Sequence, residues 1–300
     1  MTTETIAPAR VRVRWRAYLG LCKLKVVALI LFTAVVGMCL AAPEVSWQTL
    51  TWAGLGIGLM AASGAALNHV ADRSLDAVMA RTRHRPLPSG QLESRPAMVF
   101  AGMLGAGGMA ILWRWVNPLT AVLTAISLVG YAVIYTRYLK PRTPQNIVFG
   151  GIAGAMPAVL GWTAVSGELE PRAWLLFLII FTWTPPHFWP LAIYRRNEYA
   201  AGGIPMLPVT HGIAYTRRQI LLYSLLLLAV SLLPFAVGMS GLFYLLAALI
   251  LGGGFVYHAV LLELRRTDRA AMETFGYSVI YLMLLFAALL FDHYLPQFPG

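Results

Sequence analysis

Gln219–Leu262 reads QILLYSLLLLAVSLLPFAVGMSGLFYLLAALILGGGFVYHAVLL, 44 positions without one Asp, Glu, Lys or Arg. A helix needs about 20 mostly apolar residues to cross a bilayer. This run is too long for one crossing and long enough for two. Gly238-Met239-Ser240-Gly241 interrupts it, so the reading is two helices joined by a tight turn. Working outward, charge-free runs lie at Val26–Pro43, Val45–Ala71, Pro96–Trp113, Trp115–Thr136, Thr143–Gly167, Ala173–Tyr194 and Thr274–Phe291. Each is one span. The expected fold is therefore all-α: a polytopic membrane protein with nine transmembrane helices in one bundle, residues 1–300 forming a single membrane-embedded domain.

Composition agrees. Of the 300 residues 59% are hydrophobic and 12% charged, where a soluble domain carries roughly 25% charged residues. Charge placement tests the count independently. With the N-terminus cytoplasmic, only Arg114 and Arg172 of the 23 basic residues fall outside. A miscounted helix would scramble that positive-inside pattern. The net charge of +11 is thus topological and calls for no nucleic acid; it also favours anionic lipid and an anionic substrate. Cys22 and Cys39, on one helix, would sit ~25 Å apart, too far to bridge within the chain. The arginines before the first span could suit an organelle presequence, but Glu4 and the short length point to a bacterial inner membrane.

Two inside connections are long. Residues 71–95 and 195–218 are rich in Arg, Pro and Gly and are expected to be cytoplasmic active-site loops, while 1–20 form a basic cytoplasmic tail. Tyr199–Thr216 reads as a loop with one short helical turn, since glycines, prolines and His211 break it.

The second span ends inside with Asn68-His69-Val70-Ala71-Asp72-Arg73-Ser74-Leu75-Asp76. Positions four apart stay on one helix face, so Asn68, Asp72 and Asp76 form a row of oxygen donors. Stacked carboxylates repel unless a cation lies between them, and Mg²⁺ suits one or two carboxylates plus water and phosphate. Charged groups at membrane depth are costly and usually functional, which outweighs the plainer reading of pairing with Arg73 and Arg81. Arg81-Thr82-Arg83-His84-Arg85-Pro86-Leu87-Pro88-Ser89-Gly90 follows, and guanidinium forks match phosphate oxygens. Arg81 and Arg85 are the expected diphosphate contacts, joined by Lys140 and Tyr135 from the cluster 135–146. Pro185 and Pro186 are expected to interrupt the sixth span, leaving His187 beside a cavity. The glycines and alanine of 150–161 read as helix packing.

These motifs resemble the UbiA-type intramembrane prenyltransferase superfamily. More narrowly they resemble its protoheme IX farnesyltransferase branch, through Asn68-x3-Asp72-x3-Asp76, Arg85-Pro86-Leu87-Pro88-Ser89-Gly90, Thr143-Pro144-Gln145-Asn146, Trp183-Thr184-Pro185-Pro186-His187-Phe188-Trp189 and Gly202-Gly203-Ile204-Pro205-Met206. Lys23-x-Lys25-Val26 fits as well, with Lys25 as a further diphosphate contact. The resemblance implies transfer of farnesyl from farnesyl diphosphate to a vinyl group of heme b. It implies Mg²⁺ as cofactor, heme-binding roles for His187, His69 and His211, and heme A synthase or terminal oxidase subunits as partners. The superfamily's second acid row is reduced here to Glu198, expected to serve a second metal. Rival expectations are a sibling enzyme acting on a quinone or chlorin precursor, a cation-coupled transporter, and a non-catalytic heme-binding protein.

Overall fold

In the computed structural model, residues 15–79 and 81–295 are described. The expected basic tail therefore lies outside them up to residue 14. Among the described residues the chain is helical without strands, and nine helices are long and apolar enough to cross a membrane. The elements are α1 (Trp15–Leu21), α2 (Leu24–Ala41), α3 (Trp47–Ala71), α4 (Arg73–Val78), α5 (Ser94–Trp115), α6 (Pro118–Val129, continued by a wider turn over Gly130–Leu139) and α7 (Asn146–Ser166). Then come α8 (Pro171–Tyr194), α9 (Arg196–Ala201), α10 (Leu207–Thr210), α11 (Gly212–Ser231), α12 (Leu233–Ala236), α13 (Leu242–Arg265) and α14 (Asp268–Tyr294). Gly238, at φ +70°, makes the turn that divides the long apolar run.

Helices α3, α6, α8 and α13 all end at the same end of the bundle. Every ion pair among the described residues sits there too, including Lys140–Asp72, Arg196–Asp268 and Arg217–Glu263. At the other end the connections are short, and Asp292 accepts from the backbone N–H groups of Gly241 and Tyr244 at the start of α13.

The bundle closes around backbone-to-backbone contacts. A Cβ on Gly161 of α7 would collide with the carbonyl oxygen of Ala34 on α2, and one on Gly37 of α2 with that of Ala158 on α7. Helices without side chains at the crossing approach closely enough for dispersion contacts to hold them in lipid. Of the expected packing glycines Gly161 therefore serves α2, Gly151 lies against Thr184, Gly150 against the Tyr135 ring, and Gly154 meets nothing. The Gly161→Ala variant is expected to force α2 and α7 apart at a cost of about 1–3 kcal/mol, as overpacked cores do. A lowered unfolding temperature in detergent, with Gly154→Ala unchanged, is the check.

Two expectations need correction. Helix α8 runs unbroken through Pro185, Pro186 and Pro190. It is the most buried of the nine spans. In lipid, ending a helix strands several backbone donors and acceptors without water, which costs more than the few bonds prolines remove. The stretch Tyr199–Thr216 is mostly helical, with α9, α10 and the first turn of α11, so the seventh span begins at Gly212 and not at Gln219. The fourth span crosses as expected, and its last ten residues wind more widely than an α-helix, with consequences for the site.

Candidate active site

The acid row keeps its register across a helix end. Helix α3 stops at Ala71, yet Asp72 N donates to Asn68 O (2.9 Å) and Asp76 N to Asp72 O (2.8 Å). Asn68, Asp72 and Asp76 thus follow one another at four-residue steps, all buried. Each is held by a cation from another part of the chain. Lys23 Nζ donates to Asn68 Oδ1 (2.6 Å). Lys140 Nζ donates to Asp72 Oδ2 (2.6 Å), which also accepts from Asn68 Nδ2 (3.0 Å). Arg85 Nη1 donates to both oxygens of Asp76, at 3.0 and 2.8 Å.

The loop that carries Arg85 is anchored by its own residues. Thr82 Oγ1 donates to Asp76 O at 2.9 Å, Leu87 is fully buried with α1, α3 and α5, and Gly90 turns the chain at φ +74°. Lys140 arrives differently. Over Gly130–Leu139 the backbone donors reach back five residues, as Lys140 N does to Tyr135 O (2.9 Å), and Thr136 Oγ1 donates to Tyr131 O (2.8 Å). Such wide turns recur at functional sites because they re-aim side chains. Here Thr136 Oγ1 accepts from Asn68 Nδ2 (3.2 Å) while Lys140 meets Asp72. Tyr135 stacks on Tyr131, centroids 5.6 Å apart.

Asp72, Lys140 and Thr136 open onto a cavity of about 280 Å³ whose far wall is Gly202-Gly203-Ile204. The two long loops meet there: Gly202 lies against Leu75 and Met79. Glu198 stands between Arg81 (4.0 Å) and Arg195 (3.9 Å), and its Oε2 is enclosed with no hydrogen-bond partner. Both loops thus bring acid and arginine to one end of the bundle, on facing walls.

Other expected residues land elsewhere. Lys25 is exposed and makes no contact with the row; the lysine that reaches it is Lys23. Lys23 sits at φ +49° between α1 and α2, a left-handed conformation costing a non-glycine residue roughly 1–2 kcal/mol. Its ammonium is brought down to about 8, first by burial and then by Arg85. From the letters alone Lys23 and Lys25 were indistinguishable, since only the turn between the helices decides which points inward. His69 is buried beside Asp76, Nδ1 to Oδ2 3.9 Å, with neither ring nitrogen hydrogen-bonded. His211 is exposed, bonded to Thr210 and leaning on Tyr215, apart from the acid row. His187 is buried in α8 against α14, with Trp183 on one face and Phe275 on the other.

Comparison with known proteins points one way. The model of the UbiA prenyltransferase family matches residues 30–291. A protoheme IX farnesyltransferase of Nitrosococcus oceani is 57% identical over 299 residues, covering 99% of this chain and 100% of the relative. The protoheme IX farnesyltransferase of Thioalkalivibrio sulfidiphilus is 62% identical over 281 residues, 93% of each chain. Among solved structures, one of digeranylgeranylglyceryl phosphate synthase superposes with a TM-score of 0.79 at 18% identity, covering 93% of this chain and 98% of that one. A UbiA homolog from Archaeoglobus fulgidus, bound to GPP and Mg²⁺, gives 0.63 at 17% identity over 91% and 99%. At such identities these two likenesses speak for the fold.

Proposed function

The chain belongs to the UbiA prenyltransferase family, and from that premise we propose that it transfers the farnesyl group of farnesyl diphosphate to a vinyl group of heme b, giving heme O and diphosphate. One observation carries the chemistry: two buried carboxylates at the bundle's end, each paired with a cation, facing a second loop with arginines. The heme acceptor rests on full-length relatives at 57–62% identity that bear that activity's name.

Divalent metal fits the donors present. Asn68, Asp72 and Asp76 offer an amide oxygen and two carboxylates, all hard oxygen ligands of the kind Mg²⁺ takes. No group of three or more His, Cys, Asp or Glu forms among the described residues, so such an ion would complete its shell from water and diphosphate. Glu198 is the residue available to a second ion. Bound Mg²⁺ supplies charge neutralisation at the diphosphate.

The chain's own residues do the rest. Lys140, Arg85 and Lys23 sit on the acid row and turn to the phosphate oxygens when diphosphate binds, joined by Arg81 of the same loop as Arg85 and, from the facing wall, by Arg195. They stabilise the electron pair left on the diphosphate as the C–O bond breaks, preorganised stabilisation of the kind that is often the largest single contribution to catalysis. The allylic cation accepts the π pair of the vinyl group. Water then adds its oxygen to the porphyrin-side cation and loses a proton, leaving the hydroxyl of heme O. The apolar helices exclude water from the first cation until the vinyl has reacted. His187 is the residue we assign to the heme. The positive-inside pattern supports a cytoplasmic position for this end of the bundle, and the bacterial relatives support an inner membrane.

The test is purified protein with heme b, farnesyl diphosphate and Mg²⁺, with heme O read by mass. Heme O appearing supports the reading; farnesyl diphosphate consumed with heme b unaltered overturns the acceptor. In the same assay Lys23→Met is expected to lower kcat/KM by about 10–100-fold, the worth of a hydrogen bond to a charged group, while Lys25→Met stays within about twofold. Equal losses would remove Lys23 from the site.

A further inference from the structure

Three buried side chains of α8 and α14 form an arrangement that the acid row does not use. Trp183 and His187, one turn apart on α8, stack with ring centroids 4.1 Å apart at 14°. Phe275 of α14 covers the histidine at 4.7 Å and 24°. Ser278, one turn further along α14, joins both: its carbonyl accepts from the Trp183 indole N–H (2.8 Å), and its hydroxyl lies 2.6 Å from His187 Nδ1. The same hydroxyl is 2.6 Å from the carbonyl oxygen of Phe275.

That last contact decides where the protons are. A serine hydroxyl has one hydrogen, and a carbonyl can only accept. Were the serine proton given to His187 Nδ1, the hydroxyl oxygen and the Phe275 oxygen would face each other as two acceptors at 2.6 Å. The consistent assignment has Ser278 donate to Phe275 and accept from Nδ1–H of His187. The neutral imidazole then carries its lone pair on Nε2, which has no hydrogen-bond partner among the described residues. Nor is Nε2 among the sealed, partnerless atoms of the interior, and the residue keeps 7% of its surface open. Trp183 and Phe275 stack on the ring and Phe188, itself exposed, stands across it at 4.7 Å and 75°; with Nδ1 engaged by Ser278, Nε2 is the ring nitrogen left to a ligand.

We propose that Ser278 is a positioning residue which locks His187 into the Nδ1–H tautomer, presenting Nε2 as the ligand to the iron of the heme substrate. This rests on the reading of heme b as acceptor. Histidines that bind metal through one nitrogen are commonly oriented by a hydrogen bond at the other, and loss of such a partner weakens the metal by about 10–100-fold. Holding the iron at Nε2 would set how close the porphyrin lies to α8. The two indole and phenyl faces prevent the ring from rotating about its own axis when the plane loads it.

The experiment titrates heme b into full-length protein in detergent and records the Soret band, the affinity and, on the ferrous complex, the iron–imidazole stretching band. Ser278→Ala is expected to weaken heme binding by about 10–100-fold and to shift that band to lower frequency, because Nδ1 loses its acceptor. Ser278→Thr, which keeps the hydroxyl, restores both. Farnesyl diphosphate binding with Mg²⁺ stays at the wild-type value in the Ser278→Ala, Ser278→Thr and His187→Ala proteins, showing that they are folded. A Ser278→Ala protein with wild-type affinity and band position overturns the proposal, as does a His187→Ala protein that keeps the wild-type heme spectrum. Wild-type protein that makes no heme O sinks the functional reading by itself, whatever these spectra show.

Discussion

Asp72→Asn is expected to cut heme O formation by at least about 10²–10³-fold, the range found when one group that stabilises developing charge is removed. The substitution keeps the shape of the side chain and can still accept from Asn68. What it removes is the negative charge from the middle of the acid row, where Oδ2 now holds both Lys140 and Asn68. Stranding a charged lysine in a sealed core would endanger the fold. Lys140 borders the cavity against Gly202-Gly203-Ile204, where water can reach it, so the protein is expected to remain folded. Asp76→Asn should act similarly and in addition release Arg85 from its two-pronged contact. Heme O by mass, read beside an unfolding curve, is the check; turnover near wild type in either variant removes the row from the chemistry.

Lys140→Met is expected to slow transfer by a comparable 10²-fold or more, with the opposite effect on metal. Lys140 now competes with any cation for Asp72, so its loss should lower the Mg²⁺ concentration needed for half-maximal rate, whereas Asp72→Asn should raise it or abolish saturation. Opposed shifts of the two magnesium curves would identify Lys140 as the group that leaves the carboxylate for the diphosphate. If both variants weaken magnesium alike, the lysine and the acid act as one structural pair and the exchange mechanism fails.

Much of this site was legible beforehand for a simple reason. A row at four-residue spacing keeps its face wherever a helix persists, so Asn68, Asp72 and Asp76 could be grouped from the letters, and the hydrogen bonds carry that register past Ala71. Arg85 follows nine residues later on a short, proline-stiffened loop with little freedom to go elsewhere. The proline pair at Pro185-Pro186 misled because propensities measured in water weigh a broken helix too lightly for a lipid interior. Ser278 carried no signal at all: its letter is one of many small polar residues in apolar helices, and its partner lies 91 positions away.

The number of crossings, the end of the bundle that gathers charge and the acid row were all readable in the letters. All three follow from local facts: apolar length against bilayer thickness, arginine placement, and the helical repeat. Which distant groups meet that row, which face it and which pair elsewhere came from the tertiary fold. Lys23 enters through a left-handed turn and Lys140 through a widened helix; Glu198 comes on a second loop, and the tautomer of His187 rests on a helix far along the chain. Such meetings depend on backbone winding and interhelical packing summed over long separations, which no short window of residues encodes.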